Sequence, residues 1–264
     1  MRVETAQLPP IDDSDDKIFT TDNAVIMLDG ASAFVPVQIP ANTYADRLGR
    51  ELRDLLTENA EADLTGILAD AIRTTATAFE LRPGESPSST VTILRRRGDQ
   101  FDVLVLGDNL VVLPDETLTD ERMDELDLAP RRRYRERLAD GGGYDDEHKA
   151  LLTELQTQQA TYRNVEGGYW IAEADPTAAA QALVWTRPMD AVPWAVLATD
   201  GAYNTMQHIG AADWSPLTTA GADDLADILD RCQIWEAETD PTGKQLPRAK
   251  RHDDKSIAAV SFED

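Results

Sequence analysis

The feature that most constrains this chain is a short apolar run ended by an acid and a glycine, Val25-Ile26-Met27-Leu28-Asp29-Gly30. Four consecutive apolar residues predict a short buried strand that stops abruptly. The design recurs downstream in Ala195-Val196-Leu197-Ala198-Thr199-Asp200-Gly201. A third acid-ended signal, Asp253-Asp254, stands just before the apolar run Ile257-Ala258-Ala259-Val260. A carboxylate at the tip of a buried strand is held rigidly by the sheet and still reaches solvent. Glycine after it lets the backbone turn sharply and brings a carbonyl close to whatever the acid binds. Several such tips converging predict an oxygen-lined pocket for hard divalent cations. A lone Asp-Gly commonly does no more than open a turn. The repetition is what points to a site.

The rest of the pattern comes in blocks. A short strand at Arg2 to Ala6 precedes Pro9-Pro10 and a run of acids ending at Asp16. Ile18-Phe19 and Ala24 to Leu28 read as paired strands. Tyr44, Leu48, Leu52, Leu55 and Leu56, then Leu64, Ile67, Leu68, Ala71 and Ile72, repeat at helical spacing. Strands follow at Thr90 to Leu94, Phe101 to Leu106 and Leu110 to Leu113, the first two joined by a Gly98-Asp99 turn. Residues 115 to 166 form a polar helical insert broken at Gly141-Gly142-Gly143. Gly168 to Ala172, Ala195 to Thr199 and Ile257 to Phe262 read as strands, and Ala222 to Trp235 as a helix. Strands and helices segregate without βαβ alternation, which favours antiparallel sheets with helices outside.

Charge excludes some partners. With 49 acids against 25 bases the net charge is −24, so nucleic acid and anionic membranes are repelled. A phosphate substrate would need bound cations to invert the local field. Cys232 is the single cysteine. It sits among helically spaced apolar residues and reads as core, and one thiol fits a reducing cytoplasm. No N-terminal signal sequence and no membrane span are expected. Three histidines and one cysteine leave little for a zinc site, and no Gly-x-Ser-x-Gly elbow is present. The Asp-Gly of residues 29–30 lacks the second Asp of haloacid dehalogenase phosphatases, because Met27 stands there.

In motif order the chain resembles the metal-dependent protein phosphatase 2C family of Ser/Thr phosphatases, in a divergent actinobacterial-like branch. Ser14-Asp15-Asp16 resembles the family's Asn-Glu-Asp, with Asp16 thirteen residues before Asp29. Ala24 to Gly30 resembles its metal-bridging strand end. Ser88-Ser89-Thr90-Val91 resembles its Gly-Ser/Thr-Thr strand start, and Val105 to Asn109 its Val-Gly-Asp-Ser hairpin. Leu197 to Gly201 matches its Leu-Ala-Thr-Asp-Gly, and Asp253-Asp254-Lys255-Ser256 resembles its closing Asp-Asn-x-Thr.

The resemblance implies an α+β fold: one domain over residues 1–264, a four-layer α-β-β-α sandwich of two antiparallel sheets flanked by helices. It implies a hydrolase for phosphoserine or phosphothreonine in proteins, working through water on two Mn²⁺ or Mg²⁺ ions. Asp29 would bridge the ions, with the Gly30 carbonyl on one and Asp200 and Asp253 on the other. Asp16 would orient metal-bound water, and Asp108 is the candidate for a third ion. Asp254 remains an alternative to Asp253 for the closing ligand. Three positions depart from the pattern. Ala31 stands where the family has His or Met, residues 7–15 hold no phosphate-binding Arg, and Asn109-Leu110 replaces Ser-Arg. Metal-bound water or His252 is the candidate to supply the missing proton donor. The run Arg131, Arg132, Arg133, Arg135 and Arg137 is either a solvated helix face or a phosphate- and partner-docking patch. The departures keep a second reading open, a phosphatase-fold binding module without catalysis. Oligomeric state is not legible.

Overall fold

The computed structural model describes residues 1–262. Two five-stranded sheets carry the chain. The first has the order β1 (Arg2–Leu8), β10 (Lys255–Ser261), β9 (Trp194–Ala198), β6 (Leu110–Val112), β7 (Thr117–Leu118). The second runs β2 (Lys17–Thr20), β3 (Ala24–Leu28), β4 (Val91–Arg97), β5 (Gln100–Leu106), β8 (Leu183–Pro188). Every pairing is antiparallel. Helices α1 (Ala41–Glu58) and α2 (Leu64–Ala78) cover the outer face of the second sheet, and α5 (Asp200–Met206) and α6 (Ala222–Ile234) that of the first. The architecture is therefore the expected α-β-β-α sandwich of two antiparallel sheets.

The central strands show why their apolar runs are continuous. Along β3, Ala24, Ile26 and Leu28 face α1 and α2, while Val25 and Met27 enter the core between the sheets. In β9, Ala195 and Leu197 face inward, and Val196 and Ala198 meet α5 and α6. A strand with a layer on each side has no face left for polar residues. Each helix, with one buried side, keeps its 3.6-residue stripe: α1 buries Tyr44, Leu48, Leu52 and Leu56.

The insert folds as α3 (Ala129–Ala139) and α4 (Asp146–Ala160), packed through Leu128, Tyr134, Leu138, Leu151, Leu152 and Leu155. It is fastened over the end of the sandwich. Nε2 of His148 lies 2.7 Å from the Ala249 carbonyl, and Gln156 bonds the 32–34 loop at the Ser32 carbonyl and the Phe34 amide.

Two expectations need correction, and one strand is additional to them. Gly168 to Ala172 makes only isolated bridges, Tyr169 with Arg163 and Ala172 with Ser89. The edge strand β8 was not foreseen. Its exposure alternates along Leu183–Pro188 and it ends in proline, a pattern suited to an edge. The Gly107-Asp108-Asn109 turn is not a hairpin within one sheet: it carries the chain from β5 in one sheet to β6 in the other. Gly107 makes this crossing at φ +92°, where a Cβ would lie 2.8 Å from Thr90 Cγ2.

Candidate metal centre

One end of the sandwich gathers acids that lie far apart in sequence. Asp29 follows β3, Asp108 follows β5, Asp200 opens α5 after β9, and Asp253 precedes β10. All four line one cleft of about 230 Å³, roofed by the insert. Asp16, which precedes β2, lies beneath them and is 1% exposed. Two adjacent sheets end here, which is how residues 171 apart, Asp29 and Asp200, become neighbours.

Backbone contacts set each acid. The Asp29 amide donates to Thr90 Oγ1 at 2.9 Å, and its carbonyl accepts from the Thr90 amide at 2.9 Å and Ser89 Oγ at 3.0 Å. Thr199 Oγ1 donates to Asp16 Oδ2 at 2.8 Å and accepts the Ser256 amide at 2.9 Å. That one hydroxyl ties Asp16, the start of α5 and β10 together.

The two glycines after the strand-end acids are not needed for a left-handed turn. Neither Gly30 nor Gly201 has positive φ. Each is needed for close approach. A Cβ on Gly30 would lie 2.8 Å from the Asp15 carbonyl oxygen, and one on Gly201 would lie 2.0 Å from that of Asp254. We expect Gly201→Ala to destabilise the protein by about 1–3 kcal/mol, because backbone cannot move aside as a side chain can. Denaturant melting checks this, and an unchanged midpoint would show that the seam between α5 and the 253–254 loop is slack.

The electrostatics of the cluster are unfavourable without a cation. Asp29, Asp108 and Asp200 keep partial solvent contact at the cleft floor, yet protein crowds each on most sides. Burial raises Asp29 well above the ordinary carboxylate range, and the charges of Asp16, Asp200, Asp253 and Asp108 raise it further. Asp200 moves the same way, through burial and then Asp253, Asp108 and Asp16. Burial also lifts Asp16 to about 7, against hydrogen bonds from Thr199 and Ser256 that favour its charge. Asp108 rises to about 6, from burial and then Asp124. Like charges this close disfavour mutual ionisation. Asp16 Oδ1 is in addition buried with no hydrogen-bond partner.

The donor set is oxygen only, as Mg²⁺ or Mn²⁺ prefers. Taken with the orphaned Asp16 oxygen and the mutual repulsion, the chemistry of these residues fits a divalent cation. As the side chains stand, no three His, Cys, Asp or Glu among the described residues form a closed ligand cage. The acids surround a cleft and do not pinch a single point.

The closing pair of acids divides cleanly. Asp253 lines the cleft. Asp254 turns away, its Oδ2 accepting Ser14 Oγ at 3.1 Å and the Asp15 amide at 2.5 Å, so it anchors the segment that carries Asp16. The arginine run divides by helical phase. Arg131 and Arg135, four residues apart, line the cleft near Asp124. Arg131 is buried and donates to the Met123 carbonyl at 2.7 Å. Arg132 pairs with Asp127 and Arg133 with Glu154, both exposed and outside the cleft lining. The 3.6-residue period would have singled out Arg135 with Arg131. His252 is bound to Glu236 at 3.0 Å and does not line the cleft. Arg163 and Lys250 do line it, although neither is among the site residues expected from the sequence.

With this geometry in hand, solved structures give the comparison. A Ser/Thr phosphatase of Mycobacterium smegmatis, MsPP, crystallised with cacodylate, is similar at TM-score 0.53 and 12% identity over 100% of this chain and 99% of that one. The chain has the fold of the PPM Ser/Thr phosphatases. The catalytic domain of the Ser/Thr phosphatase PstP, solved with two manganese ions, gives TM-score 0.53 at 11% identity, covering 98% of this chain and 97% of that one. Stp1 of Staphylococcus aureus gives 0.53 at 11% identity, covering 100% and 94%. No protein-family model and no curated protein matches the sequence. No helix among the described residues is long and apolar enough to cross a membrane.

Proposed function

We propose that this PPM-fold protein is a Mn²⁺- or Mg²⁺-dependent phosphomonoester hydrolase acting on phosphoserine or phosphothreonine in proteins. The observation that carries the reading is the convergence of Asp29, Asp108, Asp200 and Asp253 at one cleft above Asp16, with charge that protein cations leave largely unmatched. Asp29 and the Gly30 carbonyl would hold one ion, and Asp29, Asp200 and Asp253 the other, with Asp108 reserved for a third. Bound there, the ions would supply a water nucleophile at neutral pH and neutralise phosphoryl oxygens.

The chain's own residues would do the remainder. Asp16, held by Thr199 beneath the cleft, has an unpartnered Oδ1 that would accept a hydrogen bond from water admitted between the acids. Arg135 and Arg163 border the cleft and offer guanidinium donors to the dianionic ester, in place of the arginine lacking before Asp16. The insert supplies the roof of the cleft above them. No histidine lines the cleft among the described residues, so the leaving oxygen takes its proton from water.

A second reading, a phosphopeptide-binding module without turnover, is favoured by one contact: Lys250 already occupies Asp253. Hydrolysis of an aryl phosphate and a phosphothreonine peptide separates the two. Turnover that needs added Mn²⁺ and stops with chelator supports the enzyme. Binding of the phosphopeptide with no turnover at any metal concentration supports the module. Full turnover in excess chelator would overturn the metal-water mechanism.

A further inference from the structure

We propose that Lys250 is a built-in counter-ion of the acidic cleft, whose ammonium competes with a divalent cation for Asp253 and holds metal affinity down. The inference rests on the metal-centre reading above. Lys250 Nζ lies 2.7 Å from Asp253 Oδ1, and the two side chains are only 26% and 31% exposed. The same oxygen accepts the Asp254 amide at 3.1 Å, so two donors already crowd it. Both residues face the cleft beside Asp29, Asp108 and Asp200. Among the described residues no other cation is ion-paired with any of the five site acids: Arg131 and Arg135 are directed to Asp124, at 3.6 and 4.0 Å. Arg163 is engaged with Tyr169 Oη and the Ser86 carbonyl.

A dication entering beside Asp200 and Asp253 must therefore move the ammonium or sit next to it. Either route subtracts from its binding, because the two cations repel and the lysine surrenders a charge-assisted hydrogen bond. The lysine stem has a way out, since the pair is partly exposed and the cleft is open to solvent. Such a device leaves Asp253 paired at low free metal and admits metal there only when its concentration is high.

The test is calorimetric Mn²⁺ titration of the full chain, stripped of metal, with melting temperature followed alongside. Lys250→Met keeps the stem and removes the charge. It should bind Mn²⁺ at least tenfold more tightly at one site and melt at a higher temperature in saturating Mn²⁺ than the parent does. Lys250→Gln should do the same, which guards against a folding defect peculiar to one variant. Lys250→Arg, which keeps the charge, should stay near the parent. In an Asp253→Asn background, removing the lysine charge should tighten Mn²⁺ binding by less than it does in the parent. Equal or weaker Mn²⁺ binding by both neutral variants overturns the lysine proposal and leaves the metal centre standing. Absence of Mn²⁺ binding by every protein, parent included, overturns both.

Discussion

Asp29→Asn should abolish metal-dependent hydrolysis and weaken Mn²⁺ binding by more than roughly 100-fold, since even partners one shell out are worth about 10–100-fold. The carboxylate sits where the charges of Asp16, Asp200, Asp253 and Asp108 all bear on it. The same substitution should stabilise the metal-free protein. A carboxyl whose pKa is higher folded than unfolded holds its proton more tightly in the native state. Its contribution is full below the unfolded value of about 4 and is lost as pH rises through the folded value. Asp29 is shifted upward, chiefly by burial and then by Asp16. In chelator, the Asn variant should therefore melt above the parent at neutral pH, with the gap closing toward pH 4. In saturating Mn²⁺ the order should invert, because only the parent gains the free energy of bound metal, about 2.7 kcal/mol at 100 times Kd. Melting curves across pH, with and without Mn²⁺, check both halves. Equal Mn²⁺ stabilisation of the two proteins would remove Asp29 from the metal site.

Glu236→Gln should cost about 3–5 kcal/mol of stability, the usual penalty for stripping one partner from a buried ion pair. Glu236 lies in a π-helical turn, Trp235–Thr239, that continues α6, and is 1% exposed; its partner Lys255 is 0% exposed. Glu236 Oε2 accepts Lys255 Nζ at 2.9 Å and His252 Nδ1 at 3.0 Å, while Oε1 accepts Thr205 Oγ1 at 2.8 Å. Lys255 in turn donates to the Asp253 carbonyl at 2.7 Å. The network thus joins α5, which begins at Asp200, to the loop that carries Asp253. Replacing the pair by Glu236→Leu with Lys255→Met should restore most of the stability, since a hydrophobic pair of similar volume avoids the desolvation cost. It should not restore the site: with Thr205 and the Asp253 carbonyl released, Mn²⁺ should bind roughly 10–100-fold more weakly than in the parent. Denaturant melting and calorimetry on the single and double variants separate these effects. A double variant with full metal affinity would reduce the network to a stability element.

What the sequence determined by itself follows from local physics. Val25 to Leu28 and Ala195 to Ala198 are apolar without alternation because each strand is covered on both faces, and that requires layers above and below. The stripe of Tyr44, Leu48, Leu52 and Leu56 carries a helix with one buried side. Asp29 and Asp200 were legible as candidates because an acid at the end of such a strand is conspicuous. Tertiary structure decided everything that depends on which loop meets which. Asp253 and Asp254 are chemically identical neighbours, and only the fold turns one to the cleft and the other to Ser14 and Asp15. Gly30 and Gly201 looked like turn formers, yet their need is for space against the Asp15 and Asp254 carbonyls, which no local pattern encodes. Arg131 to Arg133 form one run in sequence, and helical phase leaves only Arg131 of the three in the cleft. Arg163 belongs to no motif, and Lys250 precedes the closing acids with nothing local to mark it as a site residue. They border the cleft because the 249–250 loop and the end of the insert are brought to the same edge of the sandwich by contacts such as His148 with Ala249. Periodicity reports on burial of the residue itself, whereas a site is a property of pairs distant along the chain, and their meeting is set by long-range packing.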